Sequence, residues 1–201
     1  MLSRKAFLLI LSAPSGTGKT TLCRALLRHD SNLGYSVSAT TRPRRGKEVD
    51  GEDYHFITDE RFDNLIKESG FLEWEEVYGH RYGTLRSEIE RSQSSGRDVI
   101  LDLDVKGALH VRQVYPGSVA VFLLPPTIEE LRHRLLTRGR EGKELIEERL
   151  KEARSEIEKA REFDYVIVND SLAESVHKLT AILEAERARS KRISEIKLNG
   201  G

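Results

Sequence analysis

Four stretches of the chain are almost continuously apolar: Phe7–Leu11, Asp98–Asp104, Val119–Leu124 and Tyr165–Asn169. Such runs, without polar alternation, are expected of parallel strands covered on both faces. Between and after them, apolar positions return at helical spacing. From about Leu145 to Arg161, the positions Ile146, Leu150, Ala153, Ile157 and Ala160 form a 4-3-4-3 stripe, and Val176, Leu179, Ile182 and Leu183 share one side of a last helix. Thr127-Ile-Glu-Glu130 and Ser171-Leu-Ala-Glu174 each place a hydroxyl three residues before a carboxylate, the signature of a helix N-terminus. The alternation predicts an α/β fold with a parallel sheet flanked by helices.

One region breaks this rhythm. Ser36-Val-Ser-Ala-Thr40 and Tyr54-His-Phe-Ile57 alternate, Asp50-Gly51 marks a turn, and Phe71–Val77 reads as a short strand. We therefore expect a small mixed α+β insertion over residues 36–87, set into a core of residues 1–35 and 88–201. A helical lid is expected at about residues 137–150, with Arg138-Gly-Arg-Glu-Gly142 as a basic, glycine-bearing flap. The charged stretch Glu184–Arg192 is expected to continue the last helix and then fray.

The 201 residues carry 33 Lys+Arg against 33 Asp+Glu, so the chain lacks the basic excess of a general nucleic-acid binder. The longest apolar run, Ala6–Leu11, is far short of the ~20 residues needed to span a bilayer and too short for a signal-peptide core. A cytoplasmic protein without nucleic-acid or membrane partners is expected. Cys23 is the sole cysteine, which excludes an intrachain disulfide, and the six histidines show no metal-ligand spacing.

Candidate chemistry begins directly after the first apolar run. Ala13-Pro14-Ser15-Gly16-Thr17-Gly18-Lys19-Thr20 links that strand to an amphipathic helix, the context a phosphate-binding loop requires. Gly16 and Gly18 let backbone N–H groups turn toward a phosphate, and the helix N-terminus adds its dipole. Lys19 can reach the β- and γ-phosphates of an NTP, and the Thr20 hydroxyl can ligate Mg²⁺. The usual first glycine of the motif is Ala13 here. Asp102 and Asp104, at the end of a buried strand, suit a carboxylate that holds Mg²⁺ through water. A P-loop NTPase-type core follows from these features.

A second basic loop narrows the choice of phosphoryl acceptor. Arg42, Arg44, Arg45 and Lys47 crowd into Ser38–Glu48, followed by Asp50-Gly-Glu-Asp-Tyr54. Guanidinium forks match phosphate oxygens in pairs, so this loop can hold a second phosphate, separate from that on Lys19.

Ser-Ala-Thr-Thr-Arg, Gly-Glu-Asp-Tyr-His-Phe, Phe-Leu-Glu-Trp, Tyr-Gly-Thr and Leu-Asp-Leu-Asp occur in an order and spacing that resembles the guanylate kinase family, over roughly residues 6 to 187. The resemblance implies transfer of the γ-phosphoryl group of ATP to GMP with Mg²⁺, a step of purine nucleotide metabolism. It further implies that Arg42, Arg45, Tyr54 and Tyr82 hold the GMP phosphate. Ser38, Glu73 and Thr84 would read guanine, with Asp102 and Asp104 beside the acceptor and metal. Arg134, Arg138 and Arg149 match the basic positions around the family's lid. The family often has Ser at the place of Thr84, and the Arg-Pro-Arg-Arg-Gly order leaves Arg44 and Arg45 as alternatives, with the counting favouring Arg45.

The chemistry of the base agrees independently. A carboxylate such as Glu73 can accept both the N1–H and the 2-amino group of guanine, whereas adenine would present it with an unpaired acceptor. Two other readings stand beside this one: a P-loop kinase for another phosphorylated small molecule, and a non-catalytic guanylate kinase-like module that binds phosphopeptides. The sequence leaves monomer and homo-oligomer open.

Overall fold

The computed structural model describes residues 2–77, 79–137 and 143–196. In chain order its strands are β1 (Leu2–Arg4), β2 (Leu8–Ser12), β3 (Leu33–Tyr35), β4 (Ala39–Thr40), β5 (His55–Phe56), β6 (Phe71–Val77), β7 (His80–Leu85), β8 (Asp98–Leu103), β9 (Val119–Leu124), β10 (Tyr165–Val168) and β11 (Ile193–Ile196). Its helices are α1 (Lys19–His29), α2 (Asp59–Lys67), α3 (Arg86–Ser94), α4 (Val105–Val114), α5 (Ile128–Thr137), α6 (Lys143–Glu158) and α7 (Leu172–Arg187).

The four apolar runs become adjacent strands of one five-stranded parallel sheet, in the order β10-β9-β2-β8-β3. Central β2 is in register with both neighbours, Leu11 opposite Asp102 of β8 and Val121 of β9. All five of its side chains are buried, which explains why it reads as an apolar block rather than an alternation. One face is covered by α1 and α7 through Leu22, Cys23, Leu26, Leu179 and Leu183. Val105, Ala108 and Val111 of α4, with Ile89 of α3 and Phe163, cover the other. After β2 the chain turns first toward β3 and later toward β9 on the opposite side. The loops beyond the C-terminal ends of β2 and β8 therefore lie where open α/β sheets bind ligands.

A second sheet, ordered β5-β4-β7-β6, occupies the irregular region. Its β4–β5 pair is parallel and its other pairs antiparallel. Its core is small: Ala39, Phe62 and Phe71 are buried, with the two phenyl rings 4.4 Å apart. The Arg81 guanidinium lies 4.7 Å from the Phe62 ring and pairs with Asp59 and Asp63 of α2. A third small cluster, Leu131, Leu135, Ile146, Leu150 and Ala153, joins α5 to α6.

Two expectations need correction, and one strand was not anticipated. The charged C-terminal stretch does not simply fray: Glu186 is buried and accepts from Arg189 and Arg192, and β11 pairs antiparallel with β1. Fully buried Asp98 anchors this arrangement, binding Arg4 at 2.6 and 2.8 Å, Arg187 at 2.7 Å and the Phe7 N–H at 3.1 Å. Arg187, Arg189 and Arg192 are ordered because the buried carboxylates of Asp98 and Glu186 pair with them. Second, the helix expected to reach Arg161 ends as α-helix at Glu158 and tightens into a 3₁₀ turn over Lys159–Glu162. The main sheet also has an edge strand, β3, which the apolar pattern did not reveal because it is only three residues long.

Candidate active site

The loop between β2 and α1 is shaped by its glycines. Gly16 and Gly18 have φ of 93° and 98°, the left-handed region that side chains disfavour. A Cβ on Gly16 would come within 2.9 Å of Leu135, so α5 lies directly on the loop. Ala13, the departure from the usual glycine, is buried in the same core cluster as Leu11 and Leu22, so its methyl extends the core. Gly18 provides no side-chain cap to α1 and the first turn contains no acid, leaving the positive helix end for an anion. Pro14 and Thr17 close the loop through a 3.1 Å hydrogen bond from the Thr17 N–H to the Pro14 carbonyl, and Ser15 is exposed.

Strand β8 delivers its carboxylate to the same point. The Lys19 ammonium lies 2.8 Å from Asp102 and also donates to the Leu103 carbonyl. The Thr20 hydroxyl donates to the other Asp102 oxygen at 3.1 Å. Arg134, on α5, donates to the Thr17 and Asn169 carbonyls at 3.3 Å and to Glu130 at 2.8 Å. Arg149, on α6, donates to the Ser15 hydroxyl at 3.1 Å. Arg138 lies outside the described residues. A cleft of about 420 Å³ opens beside the loop, lined by Gly18, His133, Thr137, Asn169 and Asp170. The Asn169 amide, on its wall, donates to the Thr17 carbonyl at 2.7 Å.

The residues expected to hold the acceptor come from distant segments. Antiparallel pairing of β6 with β7 sets Glu73 opposite Thr84, whose hydroxyl donates to the carboxylate at 2.5 Å. Glu73 is only 8% exposed, and burial pushes its carboxyl up to about 7 against the pull of that hydrogen bond, with Asp104 raising it further. Asp104 caps α4, accepting from the Gly107 N–H at 2.7 Å. Ser38 is half-buried just before β4, and its carbonyl accepts from the His55 N–H.

Arg42 is 5% exposed and gripped by Glu48 through two bonds of 2.8 and 3.0 Å. Its guanidinium also donates to the Pro43 carbonyl, and lies 5.3 Å from the Tyr54 ring. Glu48 raises the Arg42 pKa, and Arg42 in turn holds the Glu48 carboxyl below its ordinary range. Tyr54 and Tyr82 meet edge-on at 5.9 Å. Burial pushes the Tyr54 phenol up to about 12, with the Asp102 charge adding to the effect. Asp102 is thus sensed from both halves of the site. Arg44 and Arg45 are both exposed, and the Arg45 backbone N–H donates to Glu48 at 2.8 Å.

Some contributors were missed by sequence reading. Glu48 gives Arg42 its fixed orientation, a role that its spacing from Arg42 alone could not reveal. Glu156 lies on α6 two turns beyond Arg149, and burial raises its carboxyl to about 7, with Lys19 lowering and Asp104 raising it. The periodicity from Arg149 was the available signal. Among the described residues, no group of three His, Cys, Asp or Glu side chains is placed to hold a metal ion, and no helix is long and apolar enough to cross a membrane.

Comparison with known proteins agrees over nearly the whole chain. A family model described as guanylate kinase matches residues 5–186. The guanylate kinase of Symbiobacterium thermophilum is 49% identical over 188 residues, 94% of this chain and 89% of that protein. A guanylate kinase of Thermus thermophilus is 48% identical, covering 94% of this chain and 85% of that protein. In three dimensions the chain is similar to the crystal structure of guanylate kinase from Anaplasma phagocytophilum, with a TM-score of 0.80 and 33% identity over 96% of this chain and 92% of that one.

Proposed function

The chain belongs to the guanylate kinase family, and from that premise we propose how its residues carry the reaction, transfer of the γ-phosphoryl group of ATP to GMP to give ADP and GDP. Donor phosphates are held by the N–H groups of residues 13–20 and by Lys19. Since Lys19 now pairs with Asp102, phosphate binding draws the ammonium from a carboxylate to a stronger anion. The adenosine portion lies in the cleft beside Asn169.

The acceptor phosphate is gripped by Arg42, Arg45, Tyr54 and Tyr82. Arg42 is already oriented by Glu48, which lowers the ordering cost of binding. Glu73, with Ser38, Thr84 and Asp104, reads the guanine edge. Phosphoryl transfer leaves little covalent work for the protein, so alignment and charge neutralisation dominate. Arg134, Arg138 and Arg149 supply the neutralisation, closing with the lid at residues 137–150. The insertion over residues 36–87 moves as a unit toward the core, and closure excludes water from the transferring group.

Mg²⁺ fits the site: the Thr20 hydroxyl and the Asp102 carboxylate converge as hard oxygen donors, and two protein oxygens suit an ion that otherwise keeps waters and substrate phosphates. When bound, Mg²⁺ supplies charge neutralisation at the donor phosphates. The substrates place the enzyme in the cytoplasm in this reading.

The observation that carries the proposal is the buried Glu73 carboxylate, within electrostatic reach of Asp104 at the end of the strand that delivers Asp102 to Lys19. A coupled assay of ADP formation with ATP·Mg²⁺ and each of GMP, AMP, CMP and UMP tests it. Turnover confined to GMP and lost in Lys19→Ala is expected. Equal turnover of AMP by folded protein would overturn the assignment of the base site.

A further inference from the structure

Gly107 occupies the first turn of α4, where a glycine is not required by the backbone. Its φ is not positive, unlike that of Gly16 or Gly18, and glycine is a poor helix former. Nor does capping require it. Its N–H donates to the capping Asp104, but the equivalent amides of α2 and α7 belong to Arg61 and Glu174, which keep full side chains. What a side chain would meet is specific. A Cβ at position 107 would lie 3.1 Å from Asp104 Oδ1, 3.1 Å from Glu73 Oε2 and 3.5 Å from Glu73 Cδ. Among the described glycines, Gly107 alone has carboxylates as its nearest prospective neighbours, and they are two residues assigned above to the acceptor base.

We infer that Gly107 is a positioning residue for guanine recognition: its bare Cα lets the Glu73 carboxylate settle against the first turn of α4 beside Asp104, and any side chain there displaces Glu73 from the base. The inference rests on the reading of Glu73 as the guanine acceptor. The two contacts with carboxylate oxygens are tighter than ordinary van der Waals packing, but each involves the end of a flexible side chain. The chain can therefore yield by a few tenths of an ångström, moving the carboxylates without unfolding the helix. Hydrogen bonds to a charged acceptor depend steeply on such alignment. The substitution thus separates two effects that a purely structural glycine would couple. Alanine favours the helix while disturbing the site.

The test is Gly107→Ala, measured for KM of GMP and of ATP, for the ratio of kcat/KM with GMP to that with AMP, and for thermal midpoint. We expect KM for GMP to rise about tenfold and the ratio to fall about tenfold, the equivalent of one displaced charged hydrogen bond. KM for ATP should change by less than about twofold, with the thermal midpoint equal or higher by a few degrees. Unchanged GMP recognition overturns the inference. So does a parallel rise of both KM values with a lowered midpoint, or failure to fold, since either makes Gly107 a packing residue. Glu73→Gln, run alongside, separates the two levels: if it abolishes discrimination while Gly107→Ala does not, the inference about Gly107 alone fails. If Glu73→Gln leaves discrimination intact, the reading of the base site fails and takes this inference with it.

Discussion

The two halves of the site are built by opposite means. The proposed donor half is a single contiguous loop in which backbone N–H groups, joined by Lys19, would hold the anion, presented by two left-handed glycines and one uncapped helix end. The proposed acceptor half gathers Arg42, Tyr54, Glu73, Tyr82 and Thr84 from several strands and loops of a sheet whose own core is a small cluster, Ala39, Phe62 and Phe71 among the described residues. Backbone N–H groups recognise any phosphate, whereas a buried carboxylate recognises one arrangement of hydrogen-bond donors. Generic affinity is therefore placed on rigid local geometry, and discrimination on side chains that must be desolvated and held by neighbours.

The sharpest way to break this contrast is Lys19→Ala. It should lower kcat by about 10³-fold, as expected for loss of a positioned cation at developing charge, while GMP affinity by calorimetry changes little. A comparable loss of GMP affinity would show that the halves are not separable. On the acceptor side, Glu73→Gln should reduce the preference for GMP over AMP by about 10²-fold or more, with KM for ATP nearly constant, in the same coupled assay. Next in size is Arg42→Lys, which keeps the charge but removes the planar fork held by Glu48. A rise in KM for GMP of at least about tenfold is expected, and a change below about twofold would mean that charge alone suffices.

Acidity separates the halves further. In the proposed reading guanine needs the ionised Glu73, whose carboxyl is raised to about 7. KM for GMP should therefore climb toward about tenfold per unit as pH falls below 7, and Glu73→Gln should remove that component, leaving the titration of the GMP phosphate near pH 6. The stability effect has the opposite direction. Because the folded pKa lies above the unfolded value, the protonated carboxyl's relative contribution is complete at low pH and is lost as pH rises from about 4.5 through 7. Glu73→Gln should thus gain stability relative to the parent at pH 8, by at most about 3 kcal/mol, with the gain vanishing near pH 4 in chemical denaturation. The smallest expected effect concerns the contact between halves, where Arg24 of α1 donates to Asp53 of the insertion. Arg24 is largely exposed, so Asp53→Asn should cost less than about 1 kcal/mol and less still at high salt.

Much of this architecture was legible in the residues. Phe7–Leu11 and Val119–Leu124 read as buried strands, and Gly16, Gly18, Lys19 and Thr20 could be read as a phosphate loop because their geometry is local. The resemblance carried by the dispersed motifs extended the reading to Glu73 and Arg42. Their environments were not legible. Glu48 as the holder of Arg42, Glu156 near Lys19, and the buried Glu186 that organises the C-terminal charges are ordinary acids in the sequence. Only their partners distinguish them from solvated charges.

The sequence by itself determined the alternation of strands and helices, the interruption at the insertion and the local conformation of the donor loop. These depend on periodicity, propensity and backbone sterics over a few adjacent residues. Tertiary structure decided that Asp102 meets Lys19, that Glu73 is desolvated beside Asp104, and that Gly107 must leave room for both carboxylates. A pKa and a close approach are properties of what surrounds a group. Those surroundings come from chain segments brought together only when the sheets are paired and covered.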